Sequence, residues 1–363
     1  MRPTSEFIMK SFLNSEKKHI IITGLRGIGK TTLLQELLAM LPVKESEIPG
    51  VVTFLVPDKC VILRDPIRKE EMKIGISVEG EGSAQSRMRP NSEGFQKLGV
   101  NVLKNAQKSI EDWAYIDEIG FLESNEEMFK DEIRRLFNKK QVLAVVRKQD
   151  LEFINEIKNR EDVYLIDLDE ERKKIGCIVM ASGLGKRFGS NKLLASFNDL
   201  PLYQIAFDTT GKVPFEKRLV ITRTEQVYQE ALKQGIPAIL HDYDDRNDAI
   251  KLGIEQMLDM DACVFCPCDQ PMLKSESLKR LLETFVEVKK PIVRMKWNDK
   301  PGTPILFEKR YFRELMSLPS KKGGSYIVNQ YLDDIEYVQV EKEIELKDVD
   351  TMDDLRYLEQ YCR

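Results

Sequence analysis

At 363 residues, 42% of them hydrophobic, the chain is too long for one typical domain and apolar enough to bury two cores. A formal net charge of -4, with 32% charged residues, excludes the basic excess that binding to nucleic acid or to an anionic membrane surface requires. No apolar signal core opens the chain and no stretch approaches the roughly 20 apolar residues that span a bilayer, so a soluble cytoplasmic protein is expected.

In chain order, short apolar runs predict strands at residues 19–23, 51–56, 60–63 and 73–78, followed by a helix over 93–112. A strand at 113–116, a helix at 126–137, a strand at 141–146, a helix at 151–158 and a strand at 163–168 complete a first series. Strands alternating with helices imply an α/β sheet, here with an antiparallel β-rich insert around residues 50–80. The charged run from Asp167 to Lys174 reads as a joint between two domains, 1–172 and 173–363. Beyond it strands are expected at 176–180, 218–222, around 238, and at 262–266, 304–307 and 335–340. Helices are expected at 225–234, 248–258, 274–289, 309–316, 324–332 and 351–361.

Cysteine and histidine usage narrows the chemistry. Six cysteines without a secretion signal read as reduced thiols. Cys263, Cys266 and Cys268 have the look of half a zinc site, but they fall on an apolar strand whose alternate side chains face opposite ways, which favours burial over ligation. With only two histidines, His19 and His241, histidine triads and histidine-rich metal centres are disfavoured, and phosphate chemistry run by Lys, Arg, Asp and magnesium is favoured.

Two glycine-rich motifs carry that chemistry. Gly24, Gly27, Gly29, Lys30 and Thr31 satisfy G-x-x-x-x-G-K-[ST] after an apolar strand and before the helical run that begins at Thr32. Backbone N–H groups of this turn and of the helix start surround a β-phosphate, Lys30 reaches the β- and γ-oxygens, and the Thr31 hydroxyl ligates Mg2+. Asp117 and Glu118, at the end of the strand Trp113-Ala114-Tyr115-Ile116, supply a metal-shell carboxylate and a group to orient or deprotonate the attacking water. The second motif runs Ala181-Ser182-Gly183-Leu184-Gly185-Lys186-Arg187 and on to Lys192, again after a strand. Its backbone amides would approach a triphosphate while Arg187 and Lys192 neutralise its charge.

Residues 17–172 resemble the small nucleoside-triphosphatases of the thermophile and cancer-related type, on the P-loop and on Ile116-Asp117-Glu118-Ile119-Gly120 with its following helix and strand. The resemblance implies slow hydrolysis of ATP or another NTP with broad base tolerance, and no N-K-x-D guanine signature is present; residues 159–162 give only a faint echo of one. The match is loose between Ile48 and Gly82.

Residues 175–363 resemble nucleotidyltransferases with a glycosyltransferase-A-like Rossmann fold, of the MobA-like type. In that family a later strand ends in a metal carboxylate, and Asp269 in Cys268-Asp269-Gln270-Pro271 takes the position. This form, with the loop Met180-Ala181-Ser182-Gly183, looks like the molybdenum cofactor cytidylyltransferases. The resemblance implies transfer of CMP from CTP to molybdopterin, with Mg2+ at Asp269; the joining of the two domains on one chain suggests that the NTPase acts in the same cofactor pathway, toward a molybdenum hydroxylase as partner. Asp350 positions the second substrate or metal by the family pattern, or else Asp350 or Thr351 caps the last helix. Two segments depart from the family, Asp244 to Asp248 and Lys321 to Gly324, and both bear on the acceptor. Two other readings stand beside this one: a nucleotidyltransferase for a sugar- or alditol-phosphate, and a non-catalytic cofactor-delivery chaperone driven by NTP hydrolysis.

Overall fold

The computed structural model describes residues 1–56, 60–78, 88–183, 188–189 and 191–361. Its chain divides into two compact units, one of Thr4–Glu171 and one running from Arg172 onward together with Met1–Pro3. Among the described residues no helix is long and apolar enough to cross a membrane.

The first unit runs α1 (Ser5–Leu13), β1 (His19–Thr23), α2 (Lys30–Ala39), β2 (Gly50–Val56), β3 (Cys60–Arg64), β4 (Glu71–Ser77) and β5 (Met88–Pro90). It continues with α3 (Ser92–Gly94), α4 (Val100–Lys108), β6 (Trp113–Ile119), α5 (Phe121–Ser124), α6 (Glu127–Lys139), β7 (Gln141–Val146), α7 (Glu152–Lys158), β8 (Val163–Asp167) and α8 (Leu168–Glu171). The sheet order is β5-β4-β3-β2-β6-β7-β1-β8. From β8 to β2 neighbouring strands are parallel, and from β2 to β5 they are antiparallel. β1 is buried along its whole length, as a central parallel strand covered on both faces must be.

The helix expected over 93–112 differs in two ways. A π turn at Phe95–Gly99 joins α3 to α4, and Gly94 is seated so tightly on β4 that a Cβ there would stand 2.0 Å from the Lys73 carbonyl oxygen. The helix stops at Lys108 because Lys140 donates to the carbonyl oxygens of Ser109 (2.6 Å) and Glu111 (2.7 Å), drawing them out of the helical ladder.

The second unit runs β9 (Ile175–Ala181), β10 (Ser196–Phe197), β11 (Leu200–Pro201), α9 (Leu202–Gly211), β12 (Lys217–Thr222), α10 (Glu225–Lys233), β13 (Ala238–Leu240), α11 (Arg246–Glu255), β14 (Ala262–Pro267) and α12 (Ser275–Val288). It closes with β15 (Ile292–Trp297), β16 (Lys300–Glu308), α13 (Phe312–Met316), α14 (Ser325–Val328), β17 (Ile335–Gln339) and α15 (Met352–Tyr361). Its main sheet has the order β13-β12-β9-β14-β16-β15-β17, with β13, β12, β9 and β14 parallel and β16 antiparallel to both of its neighbours. Strand β15 and helix α9 were not expected from the sequence. Two cores cover the two faces of this sheet, and the cysteines show the alternation: Cys266 and Cys268 join Cys177 on one face while Cys263 lies on the other. All four thiols are buried and free, with Cys263 and Cys177 raised by burial. No group of three or more potential metal ligands forms among the described residues, so the cysteine run is core.

Candidate active sites

The first site is built where β1 turns into α2. Gly27 and Gly29 have φ of 80° and 98°, left-handed values that a side chain disfavours, and they let the turn fold back over the start of α2. Lys30 opens α2, and its ammonium donates to the carbonyl oxygens of Gly24 (2.9 Å) and Leu25 (3.0 Å), with Glu118 Oε1 at 3.8 Å. The Thr31 hydroxyl donates to Asp117 Oδ1 at 3.2 Å; Thr31 and Thr32, in the same first turn, are both exposed. Asp117 is buried, and burial, aided by the neighbouring Glu118 charge, pushes its carboxyl up to about 6 against the Thr31 hydrogen bond and Lys30. An exposed hydroxyl beside a buried carboxylate gives the hard oxygen donors that Mg2+ takes. Thr31 and Asp117 therefore fit that ion, whose charge would offset the burial of Asp117.

Glu118 is fixed from two sides: Arg147 Nε donates to its Oε2 at 2.6 Å, and its own N–H donates to Thr53 Oγ1 at 3.1 Å. The cavity in front of Lys30 and Glu118 has a volume of about 460 Å3 and continues between Phe54, Val61, Met88 and Phe121. Glu123, fully buried, accepts from the Gly120 N–H at 2.8 Å, and burial raises its carboxyl to about 7.

The second site lies beyond the carboxyl ends of β9 and β14, the edge where ligands bind in open α/β sheets. Lys192 is buried, and its ammonium donates to Asp269 Oδ2 (2.6 Å), the Val349 carbonyl oxygen (2.9 Å) and Asp350 Oδ1 (3.1 Å). Burial works against this charge, but Asp269 and Asp350 outweigh it and raise the pKa of Lys192. Gly183 passes directly over the same side chain, since a Cβ there would lie 3.6 Å from Lys192 Cε. Asn191 secures the approach, accepting from the Leu193 N–H and donating to Thr224 Oγ1 at 2.7 Å. Ala181 ends β9, and the Ser182 hydroxyl contacts His241 Nε2 at 2.7 Å. Gly185 and Arg187 lie outside the described residues. The oxygens of Asp269 and Asp350 converge on one cation, so this pair fits a divalent ion as well.

The two families follow from comparison with known proteins. Residues 19–177 match the model of the NTPase family, and residues 177–335 match the model of the MobA-like NTP transferase domain. The chain joins an NTPase domain to a MobA-like nucleotidyltransferase domain. The NTPase domain is similar to the nucleoside-triphosphatase THEP1 of Thermotoga maritima, 28% identical over 169 residues that cover 42% of this chain and 88% of that protein. The nucleotidyltransferase domain is similar to a probable molybdenum cofactor guanylyltransferase of Thermococcus kodakarensis, 25% identical over 188 residues that cover 50% of this chain and 92% of the relative. Among solved structures, Rv0371c of Mycobacterium tuberculosis aligns with a TM-score of 0.46 and 21% identity over 52% of this chain and 98% of its own.

In the NTPase domain three partners were not foreseen. Arg147 follows β7 and grips Glu118. Asp169 accepts from the Leu25 N–H at 2.9 Å and from Lys148 at 3.1 Å, and Asp167 pairs with Lys148 at 2.8 Å. The start of the charged run read as a joint thus belongs to the P-loop's surroundings. The faint N-K-x-D echo is structural: Arg160 and buried His19 both engage Asp162.

In the nucleotidyltransferase domain the alternatives for Asp350 separate. Thr351 is the helix cap, because its hydroxyl accepts from the Asp354 N–H at 3.1 Å while Asp354 Oδ2 accepts from the Thr351 N–H at 2.9 Å. Asp350 is left to face Lys192. Gln270 also ties the site down, donating to Thr303 Oγ1 and Asp348 Oδ1, both at 2.9 Å. The two segments that depart from the family touch each other: Ser320 Oγ donates to Asp245 Oδ2 at 2.5 Å and the Lys321 N–H donates to Asn247 Oδ1 at 3.3 Å.

Proposed function

We propose that the nucleotidyltransferase domain moves CMP from CTP to the terminal phosphate of molybdopterin, and that the NTPase domain hydrolyses the γ-phosphate of ATP or another NTP in the same cofactor pathway. The observation that carries the reading is the Lys192 ammonium held between Asp269 and Asp350 beneath the Gly183 loop, a charge cluster suited to a triphosphate and a divalent ion. An oxygen of the acceptor phosphate attacks the α-phosphorus, the bond from that phosphorus to the bridging oxygen breaks, and pyrophosphate leaves. The attacking oxygen is already ionised, so charge neutralisation and alignment do the work and no strong base is needed. Lys192 and Arg187 hold the triphosphate, while Asp269 and Asp350 would hold Mg2+, which supplies charge at the phosphate oxygens. Cytosine is favoured by the loop Met180-Ala181-Ser182-Gly183.

In the other domain the backbone from Gly24 to Thr32 and Lys30 hold the phosphates, Thr31 and Asp117 would hold Mg2+, and Glu118 orients or deprotonates the water. Pyrophosphate release is measured with each of the four NTPs and molybdenum-loaded molybdopterin. Cofactor-dependent release with CTP that disappears in Asp269→Ala supports the reading, and release that survives Asp269→Ala, or needs no cofactor, sinks it.

A second reading is favoured by one observation. The joined segments at Asp245–Ser320 and Asn247–Lys321 place Arg246, Lys321 and Lys322 together where the acceptor pattern departs from the family, which suits a sugar- or alditol-phosphate. Turnover with such phosphates and none with molybdopterin would select it.

A further inference from the structure

We infer that His241 selects the base of the transferred nucleotide, accepting a hydrogen bond from the exocyclic amine of cytosine and rejecting the carbonyl that uracil carries at the same place. The inference rests on the CTP reading given above and assigns a residue to it.

The sheet order places His241 on the same edge as the phosphate end. Along the carboxyl edge the strands run β13-β12-β9-β14. Lys192, Asp269 and Asp350 mark the phosphate end, at β9 and β14. From that end the edge continues past Ser182, after β9, to β12 and β13, and His241 is the first residue after β13, so a nucleoside extending along this edge reaches it. The contact between Ser182 in the loop and His241 ties those two places together at 2.7 Å.

The protons then follow by elimination. The Ser182 hydroxyl also lies 3.1 Å from the Ile221 carbonyl oxygen, which only accepts. A hydroxyl has one proton, so both contacts are hydrogen bonds only if Oγ–H donates to Ile221 and His241 Nε2–H donates to Oγ. His241 Nδ1 is then a bare lone pair. It is buried and has no partner among the described residues. A buried acceptor left unpaired calls for an explanation, and a donor arriving with a ligand is one. Burial and the charge of Arg223 both lower the pKa of His241, which keeps the ring neutral and the lone pair available. Tyr243 stacks on the ring at 5.9 Å with planes 24° apart, holding its orientation. Cytosine presents an N–H donor to such an acceptor, whereas uracil presents a second lone pair.

The test uses the full chain carrying Lys30→Ala, so that the NTPase domain does not contribute nucleotide binding, and titrates CTP, UTP and GTP with Mg2+ by calorimetry without an acceptor. CTP is expected to bind at least about tenfold more tightly than UTP. His241→Phe, which keeps a stacking ring but no acceptor, is expected to bring the two within about threefold, and His241→Gln, which restores an acceptor oxygen, to recover part of the preference. If CTP binds and the CTP-to-UTP ratio is unchanged in His241→Phe, the inference fails alone. Binding of GTP only, or of no nucleotide, overturns the CTP reading and the inference with it.

Discussion

The ammonium of Lys192 lies 2.6 Å from Asp269 Oδ2, a pair joining residues 77 positions apart that follow the carboxyl ends of the neighbouring strands β9 and β14. It seats the Lys192 cation against the second glycine loop, at Gly183. Lys192→Met is expected to lower the rate of pyrophosphate release by about a hundredfold or more, the scale of losing one preorganised group that stabilises transition-state charge. Hydrolysis by the NTPase domain is expected to stay unchanged in the same variant. A loss of transfer smaller than about tenfold would remove Lys192 from the triphosphate site.

The converse separation is expected from the first loop. Lys30→Ala is expected to abolish γ-phosphate release and leave pyrophosphate release intact; loss of both would show that the domains are coupled. Arg147→Met tests the grip on Glu118, a 2.6 Å contact. Releasing that carboxylate is expected to slow hydrolysis by about tenfold or more, part of the roughly hundredfold or greater contribution of a general base. Phosphate release assayed with ATP, GTP, CTP and UTP measures both.

The pairing of Thr31 with Asp117 was legible in sequence because a fixed local pattern and a strand-end carboxylate define it. Arg147 and Asp169 were not, because each reaches its partner across the sheet and carries no local spacing signal. Asp350 was legible only as an alternative: Thr351 and Asp354 form the cap by a short-range rule, but which neighbour then turns to Lys192 is a matter of tertiary packing. Helix α9 was hidden by β-branched and small residues near its end, where Thr210 satisfies itself on the Ala206 carbonyl oxygen at 2.8 Å. Its buried Leu202, Tyr203 and Phe207, not propensity, hold it.

Stability of the N-terminal unit is expected to fall with acid through His19. Its Nδ1 accepts from the Val142 N–H at 3.1 Å, its Nε2 faces Asp162 at 3.2 Å, and burial lowers its pKa from 6.5 to about 4. A depressed folded pKa means that its contribution is complete above pH 6.5 and is lost as pH falls toward 4, by up to about 3 kcal/mol. Urea titrations between pH 7 and 4 should show this slope in the wild type and a shallower one in His19→Phe. The variant should also be weaker at pH 7, since the Val142 N–H loses its acceptor. Equal slopes would assign the acid loss to other groups.

Thr351→Ala removes the cap of α15 and is expected to cost about 1 kcal/mol in urea unfolding. Because Asp350 immediately precedes that cap, the same change should also raise the Mg2+ concentration needed for half-maximal pyrophosphate release. Thr351→Ser, which keeps the hydroxyl, should restore both. Lost stability with an unaltered Mg2+ requirement would detach Asp350 from the metal.

The cap of α15 also sets an order of events during synthesis. The described partners of the P-loop, through Asp169, have been synthesised while more than half of the chain is still to be made. Lys192 follows soon after, yet its ammonium must wait for Asp350 and the turn secured by Asp354 before it has its full set of partners. A nascent chain is therefore equipped to split a nucleotide long before it is equipped to transfer one, and a message truncated ahead of Asp350 would encode the first activity without the second.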